Sequence, residues 1–169
     1  MIDEKESIRT SLLLAAQLMV VSAKTAPKAR GIDNIVSLVL TEREELEGLA
    51  RKMEELAPAY GEFFRRDAES VRNSDAVVII GGKIASLGLS KPEPQKLDPD
   101  IANSLVNVGI ALGSAVRTAS MLNVDNRIMY SAGIAALALK LLDADVAYGV
   151  PISARPKNIY FDRVWPPKK

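Results

Sequence analysis

Neither a cysteine nor a histidine occurs among the 169 residues of this chain, and that double absence limits what it can fold into. No disulfide or zinc staple is available, so a hydrophobic core alone must hold the structure. The material for one is present, with 48% apolar and 25% charged residues, which is ordinary globular usage. A chain of this length buries roughly 70% of the surface its unfolded form exposes. The same absence bounds the chemistry. Iron–sulfur ligation, Cys nucleophiles, Ser-His-Asp catalysis, His-ligated haem and protein zinc sites all need a side chain that is missing. The expectation is therefore no Fe–S, no zinc and no haem, while oxygen-only cation sites stay open and no EF-hand pattern is present. A net charge of +1 and a pI near 7.9 give no field to attract nucleic acid or a membrane surface, and neither is expected as a partner.

Periodicity sets the element order. Ile8, Leu12, Ala15, Ala16, Met19 and Ala23 recur at three and four, predicting a helix from Asp3 to about Lys24. Leu13, Leu14, Leu18, Val20 and Val21 make it apolar around most of its circumference, so cover on several sides is expected. After Pro27 and Gly31, IVSLVL (Ile35 to Leu40) reads as a strand. Thr41 with Glu44 predicts a capping box for a helix that Pro58 ends, followed by a helix to Arg72. AVVIIGG is a second strand with the continuous apolar character of a central position. Residues 83–98 have no hydrophobic period, and Asp98 caps a helix of about 23 residues. NVDN (Asn123 to Asn126) reads as a turn, Ile128 to Leu142 as a helix, and Asp145 to Pro151 as a third strand. Ile101 to Leu122 is the most membrane-like stretch, but it contains Asn103, Asn107 and Arg117, so a packed helix explains it better than a membrane span. The N-terminus shows no secretory signal, and a cytoplasmic single domain over residues 1–169 is expected. Few strands among many helices give an α+β domain in three layers, with helices around a small mixed sheet.

Three features carry chemical interest. VVIIGGK (Val77 to Lys83) resembles the start of a phosphate-cradling turn, against the simpler reading of a tight strand exit. TAPKARGIDN places Lys28 and Arg30 in a Pro–Gly loop before a strand, and GVPISARPKN places Arg155 and Lys157 just after one. Cations beside exposed backbone donors suit a phosphate or carboxylate, and the two loops would form one anion pocket if they converge. Gly109 and Gly113 form a GxxxG pair on the long helix, open to two readings, internal helix packing or a dimer interface. The acidic pairs Asp98 with Asp100 and Asp143 with Asp145 read as caps and turn residues, and Tyr130 and Tyr148 as half-buried packing residues. Phe161 and Trp165, in a basic tail that includes Arg163, Lys168 and Lys169, are candidates for stacking on a ring.

Four segments together, KTAPKARGIDNI, SDAVVIIG, GIALGSAVRTASMLNVDNRIMYSAG and DADVAYGVPISARPKNIYFDR, resemble a prokaryotic family of uncharacterised proteins that contain a ferredoxin domain. Members typically carry cysteines between the second strand and the long helix. Here residues 83–98 fall in that place without one, so the resemblance implies a member lacking the Fe–S cluster. A more distant likeness is to FMN-dependent nitroreductases, on Ala26-Pro27, Gly149-Val150-Pro151 and Pro156-Lys157. Their N-terminal R-R-S-x-R pattern is absent, and Arg9 sits within the first helix instead. The likeness implies a nitroreductase-like fold, a homodimer, and FMN bound through its phosphate, a phosphate-bearing small molecule for which Lys28, Arg30, Arg155 and Lys157 are the contacts. The function implied is a flavin- or nucleotide-binding redox protein, an oxidoreductase of nitroreductase type if an enzyme. The alternative is a non-catalytic homo-oligomeric interaction protein on a scaffold that has lost its cofactor.

Overall fold

The structure, a computed structural model, describes residues 1–161; Arg163, Trp165, Lys168 and Lys169 lie outside the described residues. In chain order the elements are α1 (Glu4–Thr25), β1 (Ile35–Leu40), α2 (Arg43–Tyr60), α3 (Phe63–Arg72), β2 (Ala76–Gly82), α4 (Pro99–Met121), β3 (Asp125–Asn126), α5 (Tyr130–Ala138) and β4 (Val146–Ser153). The four strands form one sheet in the order β1-β2-β4-β3. Every pairing in it is antiparallel, which corrects the expected mixed sheet. The reason is the pair of helices between β1 and β2. The second helix undoes the traverse of the first, so β2 starts where β1 ends, with Leu40 opposite Val77.

β2 is the central strand, and all seven of its residues are buried. Its side chains alternate, as the two-residue strand period requires. Ala76, Val78 and Ile80 enter one core with α1 and α4, where they meet Met19, Ala111 and Ala115. Val77 and Ile79 enter the other with α2, α3 and α5, where they meet Leu49, Met53 and Phe64. The three expected layers are present, with the sheet between two sets of helices.

Local differences from the sequence reading have identifiable causes. Pro58 lies inside α2 rather than ending it, because in the last turn a proline removes a single backbone bond. Gly61 stops the helix at φ +118, with its N–H donating to the Ala57 carbonyl. The capping box is one residue later than expected, between Glu42 and Glu45. Asp125 and Asn126 are a short strand rather than a turn, held by pairing with Ser153 and Ile152. α5 begins only at Tyr130, because Met129 is drawn into a bridge with Gly149, and it ends where Lys140 turns to φ +55. Asp98 caps α4 as expected, accepting from the Asp100 and Ile101 amides at 2.8 and 3.1 Å.

The GxxxG pair is decided against internal packing. Gly109 and Gly113 are exposed, and a Cβ on either would meet nothing within 4 Å. They lie on a ridge of α4 with a four-residue repeat, Ile101, Leu105, Gly109, Gly113, Arg117 and Met121, whose every member is exposed. Beside it run Val106 at 56% exposure and, on α1, Leu14 and Val21 at 55% each.

Candidate functional site

The two basic loops occupy opposite ends of the sheet. Lys28 and Arg30 precede β1, whose first residue pairs with Gly82, the last of β2. Arg155 follows β4, whose Ile152 pairs with Ala76, the first of β2. Seven residues at about 3.4 Å each separate the two ends by roughly 20 Å. Within one chain the structure does not bring them together.

At the first end, the Lys28 ammonium donates to the carbonyls of Ala23, Lys24 and Ala26 at 3.2, 2.6 and 2.8 Å. Three acceptors for three N–H donors leave none for a ligand, and the charge sits favourably at the C-terminus of α1. Arg30 donates through Nη1 to the Leu87 carbonyl. Arg30 and Gly31 both adopt positive φ, +56 and +69, so this turn is tightly wound. Buried Asn107 anchors it from α4, its Oδ1 accepting from the Ala29 N–H at 2.9 Å.

At the other end, Arg155 donates to Asp75 Oδ1 at 3.1 Å, and Lys157 lies exposed two residues on. Here the structure adds cations that the spacing did not suggest. Arg9 and Lys5 project from the first turns of α1 into a cavity of about 340 Å³ shared with Arg155 and Asp75. A second cavity, of about 230 Å³, adjoins it through the same Arg9 and Asp75 and is lined by Arg43 and Thr41. Arg43 is largely occupied, donating to the carbonyls of Arg72 and Ser74. The site therefore brings Lys5, Arg9 and Arg155 together beside two carboxylates, Glu4 and Asp75, with Arg9 paired to Glu6 at 3.4 Å and Asp75 orienting Arg155. Arg9 was legible only through the helical period that places it on the sheet-end side of α1.

Tyr160 packs near this end in the core on the α2, α3 and α5 side of the sheet. Its hydroxyl lies 3.0 Å from that of Ser74, and burial pushes it up to about 12 from an ordinary 10.0, against the hydrogen bond with Ser74. It is a packing and hydrogen-bonding group here rather than a proton donor at neutral pH. Phe161 stacks against Arg127, whose guanidinium carbon is 5.3 Å from the ring centroid.

The remaining candidates resolve as structural. Gly81 and Gly82 allow close packing, since a Cβ would stand 2.8 Å from Ala144 Cβ or 2.4 Å from Val108 Cγ2, and Lys83 pairs with Asp143. The strand-exit reading of VVIIGGK holds. Asp100 and Asp145 accept backbone N–H groups of Leu87 and Ile84. Tyr130 is half-exposed and stacks near Tyr148, ring centroids 6.2 Å apart.

Comparisons with known proteins agree with this architecture. The family described as uncharacterized proteins containing a ferredoxin domain matches residues 98–163. An uncharacterized protein of Archaeoglobus fulgidus is 44% identical over the full length of both chains. Among solved structures, a hypothetical oxidoreductase from Bacillus subtilis superposes with a TM-score of 0.59 at 14% identity, covering 86% of this chain. A nitroreductase with bound FMN from Desulfitobacterium hafniense gives 0.61 at 13% identity, covering 85% of this chain and 78% of its own. The chain spans 58% of the length of the Bacillus subtilis protein. At these identities the likeness is one of fold, and the fold is that of the nitroreductases.

Proposed function

Because this chain belongs to the family of uncharacterized proteins containing a ferredoxin domain and carries the nitroreductase fold, we propose that it is a flavin-binding redox protein acting as a homodimer. The observation that carries the reading is the cavity at the end of the sheet where three cations, Lys5, Arg9 and Arg155, outnumber the carboxylates Glu4 and Asp75. Its residues fit the phosphate of FMN, since guanidinium groups bind phosphate oxygens in pairs. Its volume lies at the low end for a ligand pocket, which runs from about 300 to 1,000 Å³. One protomer thus offers a phosphate site rather than a full enclosure, and a second protomer supplies the rest. In this reading Lys5, Arg9 and Arg155 contact the phosphate, and Lys157 adds its charge from two residues beyond the cavity. Lys28 and Arg30 hold the Pro27–Gly31 turn in shape, so that the partner subunit presents it to the same ligand. A flavin bound there supplies reversible two-electron transfer; the residues of the chain bind and orient it.

The test is calorimetric titration of FMN into the wild type and an Arg9→Ala/Arg155→Ala variant. Each charge-assisted contact contributes about 1.5–3 kcal/mol, so losing two weakens binding roughly a hundredfold or more. Equal affinity in the two proteins would remove these residues from the site. No binding to the wild type would favour the interaction-protein reading, which the α4 ridge supports independently.

That ridge motivates the homodimer. α4 is about 34 Å long, and with the outer side of α1 it offers a strip two helices, or about 20 Å, wide. The projected area of about 700 Å² is close to the roughly 800 Å² per partner of a stable interface. The wild type is expected to sediment as a dimer at micromolar concentration. Val106→Glu/Ile110→Glu, which places two charges on the strip, is expected to sediment as a monomer with unchanged helix content. A monomeric wild type would defeat the proposal.

A further inference from the structure

The family is described by a ferredoxin domain, and the residues of this chain do not fit the group that such a domain holds. Iron–sulfur clusters need thiolates, or imidazole in their Rieske variant, and the chain has neither Cys nor His. The side chains around the stretch after β2 are hard oxygen donors that are already engaged. Asp145 Oδ2 accepts the Ile84 N–H at 2.7 Å, Ser104 Oγ the Ala85 N–H at 3.0 Å, and Asp100 Oδ1 the Leu87 N–H at 2.9 Å. Arg30 takes the Leu87 carbonyl, and Leu87 itself is 1% exposed. Asn34 exchanges two bonds with the Lys83 backbone, 2.8 and 2.9 Å. The Lys83, Ile84, Ala85 and Leu87 peptides are thus fixed from three places in the fold, the residue before β1, the residue before β4, and α4.

We propose that Lys83–Leu87 is a permanently ordered, metal-independent element in which polar side chains hold the backbone where a cluster would otherwise organise it. Asp100 and Ser104 act in concert because they sit four residues apart on one face of α4. Their acceptors meet amides two residues apart in the chain. The ordering needs no ligand, because the acceptors lie on α4 or immediately before β1 and β4, elements that the two hydrophobic cores already position.

Two measurements test this. Hydrogen exchange on metal-free protein in chelator is expected to show the Ile84, Ala85 and Leu87 amides protected. In Asp100→Ala/Ser104→Ala, exchange at Ala85 and Leu87 is expected to rise roughly tenfold or more, the equivalent of one lost bond to each. Ile84, held by Asp145, keeps its protection and serves as the internal control for folding. Anaerobic reconstitution with ferrous iron and sulfide is expected to leave the wild type without stoichiometric iron. Coil-like exchange of these amides in the metal-free wild type would overturn the proposal, as would one equivalent of a cluster after reconstitution. Neither readout depends on flavin, so the FMN reading stands or falls separately.

Discussion

Gly133→Ala is expected to destabilise the fold severely. Gly133 is buried at the end of the first turn of α5, where that helix lies directly on β4. A Cβ there would stand 1.9 Å from the Ala147 carbonyl oxygen, 2.3 Å from its carbon and 2.5 Å from Tyr148 Cα. All three are backbone atoms of a strand paired on its other side with β2, so none can swing aside. Helix propensity alone favours alanine over glycine by about 1 kcal/mol. Overpacking typically costs 1–3 kcal/mol and more against rigid neighbours, so the expected loss is about 3 kcal/mol or more. That is a large share of the 5–15 kcal/mol by which domains are stable. Gly48→Ala on α2, where an added Cβ meets nothing within 4 Å, is the control and should gain up to about 1 kcal/mol. Denaturant midpoints measure both, and a Gly133→Ala protein as stable as the control would refute the close approach.

Asn107→Ala is expected to cost about 2–5 kcal/mol, far beyond a surface substitution. The side chain is 2% exposed and uses both ends. It accepts from the Ala29 N–H and donates to Asn34 Oδ1, each at 2.9 Å. Asn34 in turn donates to the Lys83 carbonyl at 2.8 Å. Removing Asn107 leaves a backbone donor and an amide oxygen without partners, each worth about 1–3 kcal/mol when buried. A double-mutant cycle with Asn34→Ala should return a coupling of about 1 kcal/mol or more, since the residues share one bond. Additive losses would mean that the amides act separately.

Much of the fold was legible because its signals are local. The spacing of Leu12, Ala15, Ala16, Met19 and Ala23 gave the buried face of α1, with only Ile8 of the predicted set left exposed, and AVVIIGG gave the central strand with its boundaries. What failed depended on tertiary partners. Asp125 and Asn126 become a strand only because Ser153 and Ile152 lie opposite, and Met129 leaves the α5 helix for the bridge to Gly149. The site divides in the same way. Arg155 stands at a strand end, as the loop pattern placed it, while its acidic partner Asp75 is a tertiary neighbour that the pattern did not show. That Lys28 turns back onto the end of its own helix, and that Arg9 reaches the Arg155 cavity, follow from three-dimensional routes that a linear pattern does not encode.

The two faces of the sheet differ in what chain entropy charges for them. α2 and α3 follow one another, and their packing closes only a short loop. α1 and α4 meet across much of the chain, with Ser22 hydrogen-bonded to Thr118 over 96 residues of separation. Loop-closure entropy rises with the logarithm of length, so the α1–α4 face is the dearer to assemble and returns its contacts last. It is also the face whose outer surface stays apolar. A second copy seated there would add its stabilisation where the single chain holds itself together least cheaply.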